Sequence, residues 1–215
     1  MHLVVDGNNT NLDEREEIVG HALENFTKFG SKRFSMDELA QSLGISKKTL
    51  YKHFDSKEEL VSESLGLLLG RIKMKIQYFM AAQSDANEPL STIIYIYKLG
   101  LITFQELNPS FLFGLAKYYP KAFSVYSDFK KDIVWQQVFP LLKRGQELGQ
   151  IRKSVNVELV CALFLSRMED IVYSKANLFE EYSIQELLEH IIINNLKGIL
   201  TLDYLVSSNL KEWPK

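Results

Sequence analysis

Ser35-Met36-Asp37-Glu38-Leu39-Ala40-Gln41-Ser42-Leu43-Gly44-Ile45-Ser46-Lys47-Lys48-Thr49-Leu50-Tyr51-Lys52-His53-Phe54 reads as two short helices hinged at one glycine. Ser35 followed three residues later by Glu38 is a capping box. The serine oxygen accepts an otherwise orphaned amide and the glutamate reaches back to the serine's own N–H, so a helix starts here. It runs through Leu39, Ala40 and Leu43 to Gly44, which supplies the turn, and Ser46 offers a fresh N-cap for a second helix carrying Lys47 to Phe54. Leu39, Ala40, Leu43, Ile45, Leu50 and Phe54 are expected to form a small internal core, Ala40 being small enough to let the helices approach. The polar residues are left facing out. In this layout one helix braces while the other enters a major groove.

Helical spacing continues on both sides. Ile18, Val19, Ala22, Leu23, Phe26 and Phe29 recur at three and four, which predicts a helix from Leu12 to Phe29 with Asp13, Glu14, Glu16 and Glu17 in its first turn and Gly30 as its stop. Asp55-Ser56-Lys57-Glu58-Glu59 starts a fourth helix that runs to about Ala82. Further helices are expected over 90–106, 110–119, 121–148, 156–177 and 184–206. Pro109 and Pro120 act as helix starts, and Pro140 lies inside a periodic stretch where it predicts a kink or a break into two helices. Strand signals are nearly absent and no internal repeat occurs. The expected fold is all-α, with an N-terminal three-helix helix-turn-helix domain and a larger helical C-terminal domain, about nine helices in all. Its parts are a flexible leader over 1–11, the helix-turn-helix over 12–57, a C-terminal domain over 58–206 and a tail over 207–215. The fourth helix is shared between the two domains.

The chain has 215 residues, 46% of them hydrophobic, and a formal net charge of -2. That composition supplies a well-filled core and excludes a molecule drawn to nucleic acid by its overall charge. Between Lys28 and Lys57, however, Lys28, Lys32, Arg33, Lys47, Lys48, Lys52 and Lys57 face only Asp37, Glu38 and Asp55, a local charge of +4. A surface of that sign releases counterions from a phosphate backbone. The lone Cys161 excludes an intramolecular disulfide and a four-thiolate zinc site and fits a reducing cytoplasm. The opening Met1–Asp6 lacks the basic start and apolar run of a secretory signal, and the apolar stretches fall short of the roughly 20 residues that span a bilayer, so a soluble cytoplasmic protein is expected. His2, His21, His53 and His190 are scattered, Gly66 and Gly70 flank three leucines without a following Lys-Ser or Lys-Thr, and no metalloprotease or nucleophile-elbow pattern occurs. Neither an enzyme, a metal site nor a cofactor is expected.

Taken with Lys57-Glu58-Glu59-Leu60, the quoted stretch and its Thr49-Leu50-Tyr51-x-His53-Phe54-x-x-Lys57-Glu58 core resemble the signature of the TetR family of transcriptional regulators, over about 45 residues including the first helix. The resemblance implies that Ser35 caps the second helix and touches a phosphate, that Tyr51 places its hydroxyl on the DNA backbone, and that Lys57 brings its ammonium and a helix N-terminus to another phosphate. Lys47, Lys48 and Thr49 would face base edges, Lys donating to guanine and the Thr methyl meeting a thymine methyl. Lys52 serves either role, and His53 either packs or meets a phosphate. Lys48 stands where the family commonly has glycine, so base preference there does not carry over.

Ile184, Leu187, Leu188, Ile191, Ile192, Ile193, Leu196, Ile199, Leu200 and Leu202 give the last helix more apolar breadth than one core-facing stripe hides. With Val157, Leu159, Val160, Leu163, Phe164, Met168, Ile171 and Val172 on the helix before it, this predicts a four-helix interface around a two-fold axis. The expected interface residues are Val160, Phe164, Ile171, Leu188, Ile191, Ile192, Leu196 and Ile199. A homodimer presents two recognition helices to two half-sites of a palindromic double-stranded DNA operator. The aromatic-rich stretch from Tyr95 to Phe139 either fills core or lines a pocket for a small apolar or aromatic effector. Candidate pocket residues are Phe104, Asn108, Phe111, Tyr118, Tyr119, Phe123, Trp135, Phe139, Phe164, Arg167 and Met168. The competing reading is an all-helical protein-interaction scaffold without sequence-specific DNA binding.

Overall fold

The computed structural model describes residues 7–32, 34–82, 88–107, 109–173 and 178–208, apart from the side chains of 7–13, 109–110, 113 and 168–173. The described residues are helical with no strand, joined as α1 (Gly7–Phe29), α2 (Met36–Leu43), α3 (Lys47–His53), α4 (Lys57–Ala82), α5 (Pro89–Glu106), α6 (Pro109–Tyr118), α7 (Pro120–Asp132), α8 (Phe139–Glu147), α9 (Val157–Tyr173), α10 (Leu178–Glu181), α11 (Ile184–Leu188), α12 (Asn194–Lys197) and α13 (Leu202–Ser207). π-helical turns over Ile133–Val138 and Glu189–Ile193 join α7 to α8 and α11 to α12.

The chain divides into two compact units. The first comprises residues 1–71 with 107–127, and the second 72–106 with 128–215. The division therefore falls inside α4, and α6 with most of α7 groups with the helix-turn-helix rather than with the remainder of the C-terminal half. In the first unit, Ile18, Ala22, Leu23 and Phe26 of α1 are buried, as are Leu39, Leu50, Phe54, Leu60, Leu65, Phe111 and Leu115. In the second, α5 contributes a nearly continuous buried run, Ile93, Ile94, Ile96, Tyr97, Leu99 and Leu101, into a core completed by Val138, Leu142, Cys161, Phe164, Leu188, Ile192, Ile193 and Leu196.

Several expectations are corrected. α1 begins at Gly7, inside the expected leader, so the acidic residues from Asp13 onward are not in its first turn. The predicted disturbance at Pro140 takes the form of a π turn immediately upstream. Phe139 N–H reaches back five residues to Val134 O, which rearranges the bonding just before the proline, a residue with no N–H to donate. The last helix is not continuous to 206. It stops at Lys197, and the chain then pairs Leu200 with Ile151 in an isolated antiparallel bridge. Arg152 N–H donates to Ile199 O at 3.1 Å and Thr201 N–H to Gln150 O at 2.9 Å. The second π turn explains how successive isoleucines are hidden: its wider winding brings both Ile192 and Ile193 to full burial in their own unit.

Candidate nucleic-acid interface

Ser35 caps α2 as its position demands. Glu38 N–H donates to Ser35 Oγ at 3.2 Å, and Ser35 N–H and Oγ–H donate to Glu38 Oε2 at 2.7 and 2.8 Å. These bonds to the charged carboxylate hold the Glu38 pKa below its ordinary value. Gly44 then takes φ 68°, the left-handed conformation that a Cβ disfavours, and Ile45 N–H closes the turn onto Ala40 O at 3.0 Å. Ser46 caps α3 by accepting from Thr49 N–H at 3.0 Å. These caps fix the angle between two helices too short to persist alone.

α3 consequently has two faces. Leu50, His53 and Phe54 turn inward and are buried, whereas Lys47, Lys48, Tyr51 and Lys52 are exposed along the opposite side. Lys48 and Lys52 make no ion pair among the described residues. Lys47 Nζ lies 2.7 Å from Asp37 Oδ1, which pulls its pKa upward, and 6.0 Å from the Tyr51 ring centroid. Thr49 is half-buried, its hydroxyl 2.8 Å from Ser46 Oγ. Tyr51 is 43% exposed.

Of the two roles expected for His53, its surroundings are those of a packing residue. It is 9% exposed, sits on the inward face, and its Nε2 lies 3.1 Å from Glu14 Oε2. Sequence reasoning missed the residue that locks this corner. Arg15 donates to the His53 carbonyl and pairs with Glu59 and Glu63, with its guanidinium 4.3 Å over the Phe54 ring. A basic residue among four acids on α1 was the available signal. Lys57 opens α4 beneath the Ser56 cap, where Glu59 N–H donates to Ser56 Oγ at 3.2 Å. Burial pushes the Lys57 pKa below its ordinary value, as fits a cation held close to the protein surface.

The candidate pocket residues are not brought together in one unit. Phe111, Tyr118, Tyr119 and Phe123 belong to the helix-turn-helix unit, and Phe104, Trp135, Phe139, Phe164 and Arg167 to the other. Phe111 is fully buried core, Tyr119 Oη donates to Ser31 O at 3.4 Å, and Tyr118 accepts from Lys32 Nζ at 3.0 Å. In the second unit Phe164 meets Tyr97 edge-on at 5.4 Å, Trp135 packs obliquely on Phe139 at 5.9 Å, Phe104 lies partly buried against the core and Arg167 is exposed. Asn108 and the Met168 side chain lie outside the described residues. A cavity of about 230 Å³ lies elsewhere in this unit, where Lys73, Gln77, Asp132 and Gln136 surround an apolar floor of Ile76 and Ile133.

Most of the expected dimer-interface residues pack within their own unit. Leu188, Ile192 and Leu196 are buried in their own unit's core, as is Phe164, and Val160, Ile191 and Ile199 pack partly against it. The Ile171 side chain lies outside the described residues. Large apolar residues left in the open in this unit include Leu159 and Leu163, 55% and 51% exposed one turn apart on α9, and Leu202 and Val206, 79% and 70% exposed on α13.

Residues 18–63 match the family model described as bacterial regulatory proteins, tetR family. The chain is 26% identical over 170 residues to the uncharacterized HTH-type transcriptional regulator YvaF of Bacillus subtilis strain 168, covering 77% of this chain and 85% of that one. Its fold is similar to that of a transcriptional regulator from Saccharomonospora viridis solved in complex with choline, with TM-score 0.71, 16% identity, and 88% and 99% of the two chains covered. It is also similar to SmeT, the repressor of a Stenotrophomonas maltophilia multidrug efflux pump, solved with triclosan, with TM-score 0.67, 13% identity, and 91% and 96% covered.

Proposed function

Because the chain belongs to the TetR family of bacterial transcriptional regulators, we propose that it acts in the cytoplasm as a repressor, binding a palindromic operator as a homodimer and released by a small apolar or aromatic effector. The observation that carries the DNA reading is the exposed face of α3. Lys47, Lys48, Tyr51 and Lys52 stand clear of the protein, on a short helix whose other side is locked by Leu50, Phe54 and the Arg15 cluster. Such a helix fits a major groove, with Lys48 and Lys47 toward base edges and Tyr51, Lys57 and the α2 N-terminus at Ser35 toward phosphates.

Dimerisation is supported by the two exposed leucines of α9, since paired apolar side chains left open on a helix face are what a second copy would cover. The effector reading is supported by fold-similar regulators solved with small organic molecules and by the aromatic content of the second unit. Bound effector would favour a conformation in which the two recognition helices no longer match the half-site spacing, so affinity falls by the effector's differential binding to the two states. Genomic fragments recovered on the immobilised protein and sequenced test the reading. An inverted repeat with half-sites about one helical turn, roughly 34–36 Å, apart is the expected result. Recovery of fragments sharing no motif would refute it.

A further inference from the structure

Four basic residues of the helix-turn-helix unit, Lys32, Lys57, Lys117 and Lys121, gather where the turn from α6 into α7 meets the helix-turn-helix. The turn from α6 into α7, Lys117 to Lys121, lies against the loop after α1 and the first turn of α4. Tyr119 is buried and its hydroxyl donates to Ser31 O at 3.4 Å, while Lys121 N–H donates to Glu58 Oε1 at 3.2 Å. The Lys57 ammonium stands 6.0 Å from the Tyr119 ring. One residue earlier in the chain, Tyr118 is exposed and collects two ammonium groups. Lys32 Nζ is 3.0 Å from its hydroxyl and 4.7 Å from its ring centroid, and Lys117 Nζ is 5.3 Å from the same ring.

Two like charges converging on one phenol repel each other, and neither Lys32 nor Lys117 forms an ion pair among the described residues. The phenol compensates them only in part, and its pKa is held below the ordinary value by the bonds from Lys32 and then Lys117. Two acids reach this corner: Glu58, which accepts from the Lys121 amide, and Glu38, which acts on Lys57 while held in the Ser35 capping box. What such an arrangement lacks is an anion with several acceptor oxygens, and a phosphodiester supplies one. The surface is continuous with Lys57, which the preceding reading places on the DNA backbone.

We propose that Lys32, Lys117, Tyr118 and Lys121 form an additional phosphate-contact surface, gripping the DNA backbone beyond the contacts made by α3 and the start of α4. This rests on the DNA-binding reading above and extends it, through Lys117, Tyr118 and Lys121, to a part of the chain outside residues 18–63. It reassigns Tyr118 from effector pocket to DNA edge. Contacts of this kind set grip and register and carry no base preference.

The test uses the full chain and a fluorescein-labelled duplex of random sequence, with binding followed by anisotropy across a series of NaCl concentrations. Each phosphate contact contributes a slope of about -0.9 to log K against log salt. The Lys32→Ala/Lys117→Ala variant should show a slope shallower by about 1–2 and roughly tenfold weaker binding at low salt, with an unchanged melting temperature. The Lys32→Arg/Lys117→Arg variant should restore both. Lys153→Ala, which alters charge in the other unit, should leave the slope alone. If the double alanine variant keeps the wild-type slope while Lys57→Ala flattens it, the corner plays no part and the wider DNA reading stands. If the wild-type chain itself shows no salt-dependent duplex binding, both fall.

Discussion

Lys47 and Lys48 stand side by side at the front of α3 and differ in what already holds them. Lys47 is engaged by Asp37, an exposed pair of the sort that adds little to stability and yields readily to a phosphate or a base edge. Removing the acid should therefore favour DNA: Asp37→Asn is expected to bind operator and random duplex severalfold more tightly, seen as a parallel shift of both titrations. Among the described residues Lys48 has no such partner, and Lys48→Ala should erode operator preference roughly 5- to 100-fold at fixed salt while changing random-duplex binding far less. Equal losses on both duplexes would make Lys48 a phosphate residue. Glu38 gives a pH signature. Its pKa is depressed in the folded chain by its bonds to Ser35, so its stabilising contribution is fully present above the ordinary carboxylate value and lost as pH falls through the depressed one. The melting-temperature gap between wild type and Glu38→Gln should accordingly narrow on acidification, and a gap that widens would contradict the capping role. At this scale the sequence was most readable where residues act locally, as in both serine caps. It was least readable where a side chain such as Arg15 reaches residues some forty positions away.

The elements of the helix-turn-helix were legible because each boundary is written in a cap or a glycine, and local chemistry decides both. Gly44 at φ 68° is the sharpest case. Gly44→Ala should cost about 1–2 kcal/mol, read as a lower denaturation midpoint, because a Cβ opposes the left-handed turn. An unchanged midpoint would mean that the turn accommodates the change by moving α3. The longer helices were harder to read, since apolar periodicity specifies a face and says little about winding. Pro140 announced trouble, yet the π turn over Ile133–Val138 places it upstream of the proline. Nothing in Ile191-Ile192-Ile193 distinguishes a two-sided α-helix from a π turn that buries two of the three on one side. Gly198 caps the helix that stops at Lys197, and the bridge between Ile151 and Leu200 that follows pairs residues far apart in the chain, which local propensity does not specify.

For the whole molecule, the all-helical architecture was readable from apolar spacing along the chain and the family resemblance from about 45 residues, whereas the assignment of α6 and most of α7 to the helix-turn-helix unit was not, because it depends on tertiary packing of Phe111, Leu115 and Tyr119. Self-association is the property on which operator symmetry depends. Leu163→Glu, which charges the open face of α9, should convert a dimer to a monomer in sedimentation at micromolar concentration without lowering helix content, and a variant that stays dimeric would move the interface elsewhere. The central claim, that a twice-presented α3 reads sequence, is tested most directly by competition between the recovered inverted repeat and a duplex of identical composition with scrambled half-sites, at one fixed salt concentration. The repeat should win by roughly 10³-fold or more, and Lys48→Ala should remove much of that margin. Equal competition by the two duplexes would contradict the claim.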